Sequence, residues 1–421
     1  MTRRLALAVV PLLLVTACGD KPEPPPPPWS LRSAATAHLR ALARIGEQNR
    51  NTRAAGTPGY DASVDYVAGR LRSAGYRVRL QEVAFPVFRD RSRPRLTAGG
   101  KRIPVLTLRY SGPGRVRAPV AIVGLGCKAA DFAGARDRIA VAARGRCTFR
   151  EKARNAESGG ADGLVVADGA SDLPPRGSLI RPGLDIPSVS AGKAALKLEG
   201  EAELVVDTVA ANERTRNVIA EQPGAGRRVA MVGAHLDSVR EGPGINDNGS
   251  GVAVTLALAE RLRNQKGLRF GFWGAEELGL YGSRRYVDSL SQKERKRISG
   301  YVNLDMVGSP NPVRYVYGSG RVRDALEDAL RARKLRFEPL NIGDSSDHAP
   351  FENAGIPAAG LYSGSEETKT ASQARAYGGR AGRPLDPCYH QRCDVLERVD
   401  RDVMAELGEA AGQALRQIRA K

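Results

Sequence analysis

Apolar residues near the start of the chain recur at helical spacing. Leu31, Ala35, Leu39, Leu42 and Ile45 share one face of a 3.6-residue repeat, which predicts an amphipathic helix over 31–45. Val64, Val67 and Leu71 predict a second helix over 62–74, with a turn-rich stretch at 53–59 between the two. After Gly75, the alternation of Tyr76, Val78 and Leu80 with polar residues reads as a strand. From about 94 to 208 the texture changes. Short Val/Ile runs at 120–123, 139–141, 163–166 and 204–206 are separated by Gly, Pro and Asp, with one helix at Phe149–Ser158, so this segment reads as a separate mainly-β module.

Beyond Asn217, apolar runs at 228–233, 268–272, 298–305 and 313–318 alternate with helical patterns at 251–263, 283–290 and 322–333. That alternation predicts an α/β fold with a mixed, largely parallel central sheet flanked by helices. Ligand chemistry in such folds sits at the carboxyl ends of the strands.

The N-terminus changes the picture of where the protein acts. Thr2-Arg3-Arg4 and the apolar run 5–17 form a short signal-like segment, too short to span a bilayer as a mature helix. Val15-Thr16-Ala17-Cys18 resembles the bacterial lipoprotein signal, in which Cys18 becomes the lipidated first residue. The proline run 24–28 then makes an extended tether. These features predict export, as a cell-envelope lipoprotein held to the membrane by an N-terminal lipid or as a secreted protein. The net charge of +19 raises the question of nucleic acid, but the basic residues are scattered and only 5% of residues are aromatic. No nucleic-acid partner is expected. Cys127, Cys147, Cys388 and Cys393 remain after Cys18. They fit an oxidising compartment, allow three pairings, and by proximity favour Cys127–Cys147 and Cys388–Cys393.

Candidate chemistry falls at predicted strand ends. His235 and Asp237 follow one strand and, two residues apart in extended chain, point to the same side. The Asp237 carboxylate there can accept the second imidazole N–H of a metal-bound histidine. In the glycine-rich loop 244–251, Asp247 or Asn248 can cap the next helix, and Asp247 is also placed to bridge two cations. Glu276 and Glu277 end the following strand. Adjacent acids there are costly if unpaired, and one can ligate metal while its neighbour faces water. Asp305 ends a third apolar strand, and His390 lies between Cys388 and Cys393. Two histidines and three carboxylates from separate strand ends suit zinc. His38 has no acidic cluster near it in sequence and reads as a packing or surface residue.

The segment 235–394 resembles the co-catalytic di-zinc aminopeptidases, the secreted bacterial leucyl-type enzymes related to glutamate carboxypeptidase. The matching phrases are His235/Asp237, 247–251, Glu276-Glu277, Asn303/Asp305-Met306 and His390. The resemblance implies a zinc-exopeptidase fold and two zinc ions, with His235 and Asp305 on one, Glu277 and His390 on the other, and Asp247 between. It implies Glu276 as general base acting on a metal-bridged water, Asp237 behind His235, and Tyr389 as a donor to the oxyanion. Peptides with a free N-terminus would be the substrates. The segment 344–351 resembles a wall of the substrate pocket, which makes His348 a structural or pocket-lining residue rather than a ligand. Ser345 stands where some secreted relatives carry an arginine. The phrases at 138–149, 152–156, 159–163 and 186–190 resemble the protease-associated (PA) domain. The expected organisation is a signal peptide (1–17), lipidated cysteine and tether (18–29), first part of the peptidase domain (30–93), PA domain (94–208) and catalytic remainder (209–421). Rival readings are a carboxypeptidase, dipeptidase or glutaminyl-cyclase-like transferase on the same fold, and a non-enzymatic peptide-binding lipoprotein.

Overall fold

A computed structural model of the chain describes residues 29–224, 226 and 228–420. The signal peptide, Cys18 and most of the tether lie outside these residues. Among the described residues, no helix is long and apolar enough to cross a membrane.

Eight strands form the main sheet, in the order Arg77–Asp90, Thr208–Glu221, Leu268–Trp273, Val229–His235, Ile298–Leu304, Ala358–Tyr362, Tyr315–Gly318, Glu338–Pro339. Val229–His235 lies parallel to both Leu268–Trp273 and Ile298–Leu304, and the latter lies parallel to Ala358–Tyr362. The outer strands on one side run antiparallel. The central strands are buried at every residue, as their unbroken apolar runs require. Against one face packs Gly249–Arg261, buried from Gly249 through Ala259 because Leu31–Gln48 and Arg401–Ala420 cover its outer side. The other face holds an aromatic cluster of Trp273, Tyr286, Tyr301 and Phe351, with the last two rings stacked at 3.9 Å.

Helix Leu31–Gln48 starts at its Ser30 cap and buries Leu31, Ala35, Leu39 and Leu42, as the periodicity predicts. The second helix differs from expectation. It spans Pro58–Ser73, beginning four residues before the predicted start, because Thr57 caps it and Pro58 opens its first turn. Gly59 serves packing rather than a turn: a Cβ there would sit 2.0 Å from the Thr52 carbonyl oxygen. His38 is a packing residue, its Nδ1 2.7 Å from the Tyr66 hydroxyl.

Strands Arg77–Asp90 and Thr208–Glu221 pair antiparallel along all 14 residues and lead from the main sheet into a second one. That second sheet also has eight strands, in the order Lys101–Ile103, Arg95–Ala98, Glu201–Val206, Gly114–Ile122, Ile139–Ala143, Gly163–Ala167, Ser188–Ala191, Val105–Thr107. Alternation along Ile139–Ala143 sends Ile139 and Val141 into one small core and Ala140 and Ala142 into another. Helix Phe149–Ser158, held by a Thr148–Glu151 capping box, covers the second of these. Cys127–Cys147 and Cys388–Cys393 are both disulfide-bonded.

Candidate metal centre

The expected ligands gather at the carboxyl ends of the central strands, with Asp247 and His390 supplied by loops beside them. His235 ends its strand and is buried, with Nε2 3.3 Å from Asp247 Oδ1 and 3.3 Å from Asp305 Oδ1. The other oxygen of Asp247, Oδ2, lies 3.2 Å from His390 Nε2, which is 3.1 Å from Glu277 Oε2. Two trios therefore share Asp247: His235–Asp247–Asp305 and Asp247–Glu277–His390, the ligand atoms of each lying within 4.8 Å of one another. Glu276 Oε2 stands 4.0 Å from His235 Nε2. All six residues line one cavity of about 190 Å³, with Tyr389, Met306, Tyr317, Ile342 and Ser346 among its other walls.

Local backbone explains how neighbouring residues reach this point. Asn248 takes the cap role, accepting the Gly251 N–H at 3.0 Å and leaving the Asp247 carboxylate free to face the cavity. Gly251 is required because a Cβ would meet the Leu304 carbonyl oxygen at 2.4 Å, so the helix begins directly against the strand that delivers Asp305. Ala275, Met306 and His390 adopt left-handed φ of 57°, 48° and 56°, turning the chain sharply at three ligand-bearing ends.

Asp237 is placed differently from the sequence expectation. His235 Nδ1 lies 3.1 Å from the Asp237 backbone carbonyl oxygen, whereas the nearer carboxylate oxygen is 3.8 Å away. The carboxylate instead accepts the backbone N–H groups of Glu276 and Glu277, at 3.1 and 3.3 Å. A strand-end carboxylate meets the unpaired amides of the neighbouring turn more readily than a ring two residues behind it. Asp237 thus fixes both acids at once.

Several positioning residues were not singled out from sequence. Arg53 is fully buried and donates to the carbonyls of Leu236, Pro243 and Gly244 at 2.6, 2.8 and 2.6 Å. The Asp394 carboxylate accepts the N–H groups of Asn246 and Asp247 at 2.7 and 2.9 Å, and Asp386 accepts from the Asn246 amide at 2.7 Å. The loop closed by Cys388–Cys393 is thereby tied to the loop carrying Asp247. Ser346 donates to Asp305 Oδ2 at 2.6 Å and receives the Asn303 amide at 2.8 Å. A carboxylate four residues after His390 was the sequence signal for Asp394, while Arg53 lay hidden in an apparent turn. His348 is buried with its ring edge-on to Tyr317 at 4.8 Å, and it belongs to neither trio.

Burial dominates the electrostatics. It pushes the Glu276 carboxyl well above its ordinary range; His235 opposes this, and Asp347, Asp305 and Glu277 reinforce it. Glu277 is raised to about 7 by burial and then by Asp247. Burial also lifts Asp247, but hydrogen bonds from His235 and His390 outweigh it and hold the group below the usual carboxylate range. His390 is lowered by burial and raised further by Asp247 and Glu277, to about 10. The Tyr389 phenol is pushed up by burial and by the same carboxylates, so it keeps its proton as a donor.

This chemistry fits divalent cations. Asp247, Glu276, Glu277 and Asp305 crowd four carboxylates into one small cavity, with the exposed Glu367 a fifth on its wall, and doubly charged ions would offset that charge. The buried Glu277 Oε1 has no hydrogen-bond partner. Imidazole nitrogens and carboxylate oxygens in two trios match zinc.

Residues 217–415 match the model of peptidase family M28, and 116–198 match that of the PA domain. The probable lipoprotein aminopeptidase LpqL of Mycobacterium tuberculosis is 37% identical, over 91% of this chain and 84% of that protein. An aminopeptidase of Pseudomonas aeruginosa is 38% identical, over 87% of this chain and 77% of that protein. Among solved structures, a zinc aminopeptidase from Bacillus subtilis is 31% identical with a TM-score of 0.60, covering 92% of this chain and 94% of that one. An aminopeptidase from Aneurinibacillus sp. strain AM-1 is 28% identical with a TM-score of 0.65, covering 92% and 93%.

Proposed function

The chain belongs to peptidase family M28, a metallo-aminopeptidase with an inserted PA domain, and on that premise we propose that its pocket removes the N-terminal residue of peptides with two zinc ions. The observation that carries the two-ion reading is Asp247, whose two oxygens face separate ligand sets. His235 and Asp305 would hold one zinc, Glu277 and His390 the other, and Asp247 both. When bound, the pair would polarise the scissile carbonyl and acidify a bridging water.

The protein groups do the rest. Glu276, on the cavity wall with Oε2 4.0 Å from His235 Nε2, accepts the proton of the attacking water and returns it to the leaving amine. Asp237 holds Glu276 through its backbone, so the base stays aimed while its charge changes. Tyr389 donates its phenolic hydrogen to the developing oxyanion. The acid-rich cavity favours a protonated α-amine, which restricts cleavage to the first residue. The same reading makes the protein exported, tethered through Cys18 or released by cleavage of its tether.

The test joins metal analysis to hydrolysis of a leucine anilide. Two zinc ions per chain are expected, with activity abolished by chelator and restored by Zn²⁺. Glu276→Gln keeps both metals and loses about 10²–10⁴-fold in kcat. Wild-type turnover by that variant would overturn the assignment of the base.

A further inference from the structure

A large cavity lies away from the chemistry. It is an open groove of about 940 Å³ where the second module meets the ends of the long strand pair, and five arginines line it: Arg91, Arg93, Arg102, Arg109 and Arg176. The only acid on its wall is Asp90, and none of the five forms an ion pair among the described residues. Elsewhere on this module Arg115 pairs with Glu203, Arg117 with Glu201 and Arg144 with Asp168, while others such as Arg136 and Arg154 have no ion pair among the described residues. Gathering unpaired guanidinium groups around one concavity costs mutual repulsion unless an anion fills it. The backbone there is fixed, since Arg109 exchanges backbone hydrogen bonds with Gly177 and Leu179.

The groove and the site share walls with a cavity between them. Arg109 also lines a second cavity of about 380 Å³, which Arg89, Arg240 and Glu277 line as well. Glu277 in turn lines the metal pocket. These shared residues place three cavities in succession, from the ligand trios outward to the second module. A peptide whose amine lies among the carboxylates must send the rest of its chain away from them. Ile103, Val105 and Leu106 give the groove an apolar floor suited to an extended chain. It has no aromatic side chain on which a nucleobase would stack.

We propose that this groove binds acidic side chains of the substrate downstream of the scissile bond, so that the enzyme prefers peptides with Asp or Glu a few residues beyond their N-terminus. Guanidinium groups suit this role because they bind carboxylates in bidentate fashion. The inference rests on the aminopeptidase reading above and adds its substrate class.

The zinc-loaded, full-length protein tests it. Leucine anilide, Leu-Ala-Ala-Glu-Glu-Ala and Leu-Ala-Ala-Lys-Lys-Ala are compared at low and high salt. The acidic peptide is expected to exceed the basic one about tenfold in kcat/KM at low salt, and the ratio should shrink as salt screens the charges. Arg102→Gln combined with Arg176→Gln, both at exposed positions, should bring the ratio toward one while leaving anilide hydrolysis unchanged. Equal rates on the two peptides with the unsubstituted enzyme would overturn the proposal. So would a double variant that loses binding to phosphatidylglycerol vesicles yet keeps the peptide ratio, since the groove would then serve a lipid surface. Failure of the unsubstituted enzyme on the anilide would instead overturn the aminopeptidase reading, and this proposal with it.

Discussion

Arg53 sits far in sequence from every ligand, yet its guanidinium holds the His235–Asp237 segment and the loop leading to Asp247 together. Arg53→Met would leave the Leu236 and Pro243 carbonyls without this donor, at about 1–3 kcal/mol each where no water replaces it, while the Gly244 carbonyl keeps the Gly249 N–H. A stability loss of about 2–4 kcal/mol is expected in urea denaturation, together with weaker zinc binding. Asp394 makes the complementary contact from the His390 side, through the backbone of Asn246 and Asp247. Asp394→Ala should therefore lower zinc affinity about 10–100-fold, measured by competition with a chelating dye. If zinc is kept saturating, the KM for a leucine anilide should change little, because Asp394 does not line the metal pocket.

The two disulfides give contrasting expectations at the scale of elements. Cys388–Cys393 closes a separation of only 5 residues around His390, so its removal should affect the metal site more than overall stability. Cys127–Cys147 spans 20 residues inside the second module, and Cys127→Ser with Cys147→Ser should cost about 3 kcal/mol there. Leucine-anilide turnover of that variant should match the unsubstituted enzyme, while limited proteolysis within 114–198 speeds up. Much of this architecture was legible in advance. Phe149–Ser158 was readable to the residue because its capping box and periodicity agree. The candidate residues His235, Glu276, Glu277 and Asp305 were readable because each lies at or just past the end of an apolar strand, whereas Asp247 and His390 lie in loops and were reached through the glycine-rich phrase and the resemblance. Ala358–Tyr362 passed unread, as its Ala-Ala-Gly start carries no β-branched residue and only burial between neighbours makes it a strand. The clamps were hidden for another reason: Asp394 lies 147 residues from the Asp247 amide it holds, and Arg53 lies 190 from Pro243. No local pattern records such a pairing.

For the whole molecule, the long strand pair decides how the modules relate. Its register runs unbroken from Arg77↔Glu221 to Asp90↔Thr208. A continuous ladder resists bending along its hydrogen bonds, so the groove should keep a fixed bearing toward the metal pocket. Hydrogen exchange followed by mass spectrometry should find 77–90 and 208–221 protected together over most of their length. A fast-exchanging break in the middle of both strands would reveal a hinge. The ladder has another consequence, for descent rather than for mechanics. The chain leaves at Asp90 and returns at Thr208, directly opposite it. To the host sheet, everything between is a single hairpin loop, so it could be lengthened, exchanged or rewritten over generations without shifting one residue of the candidate site.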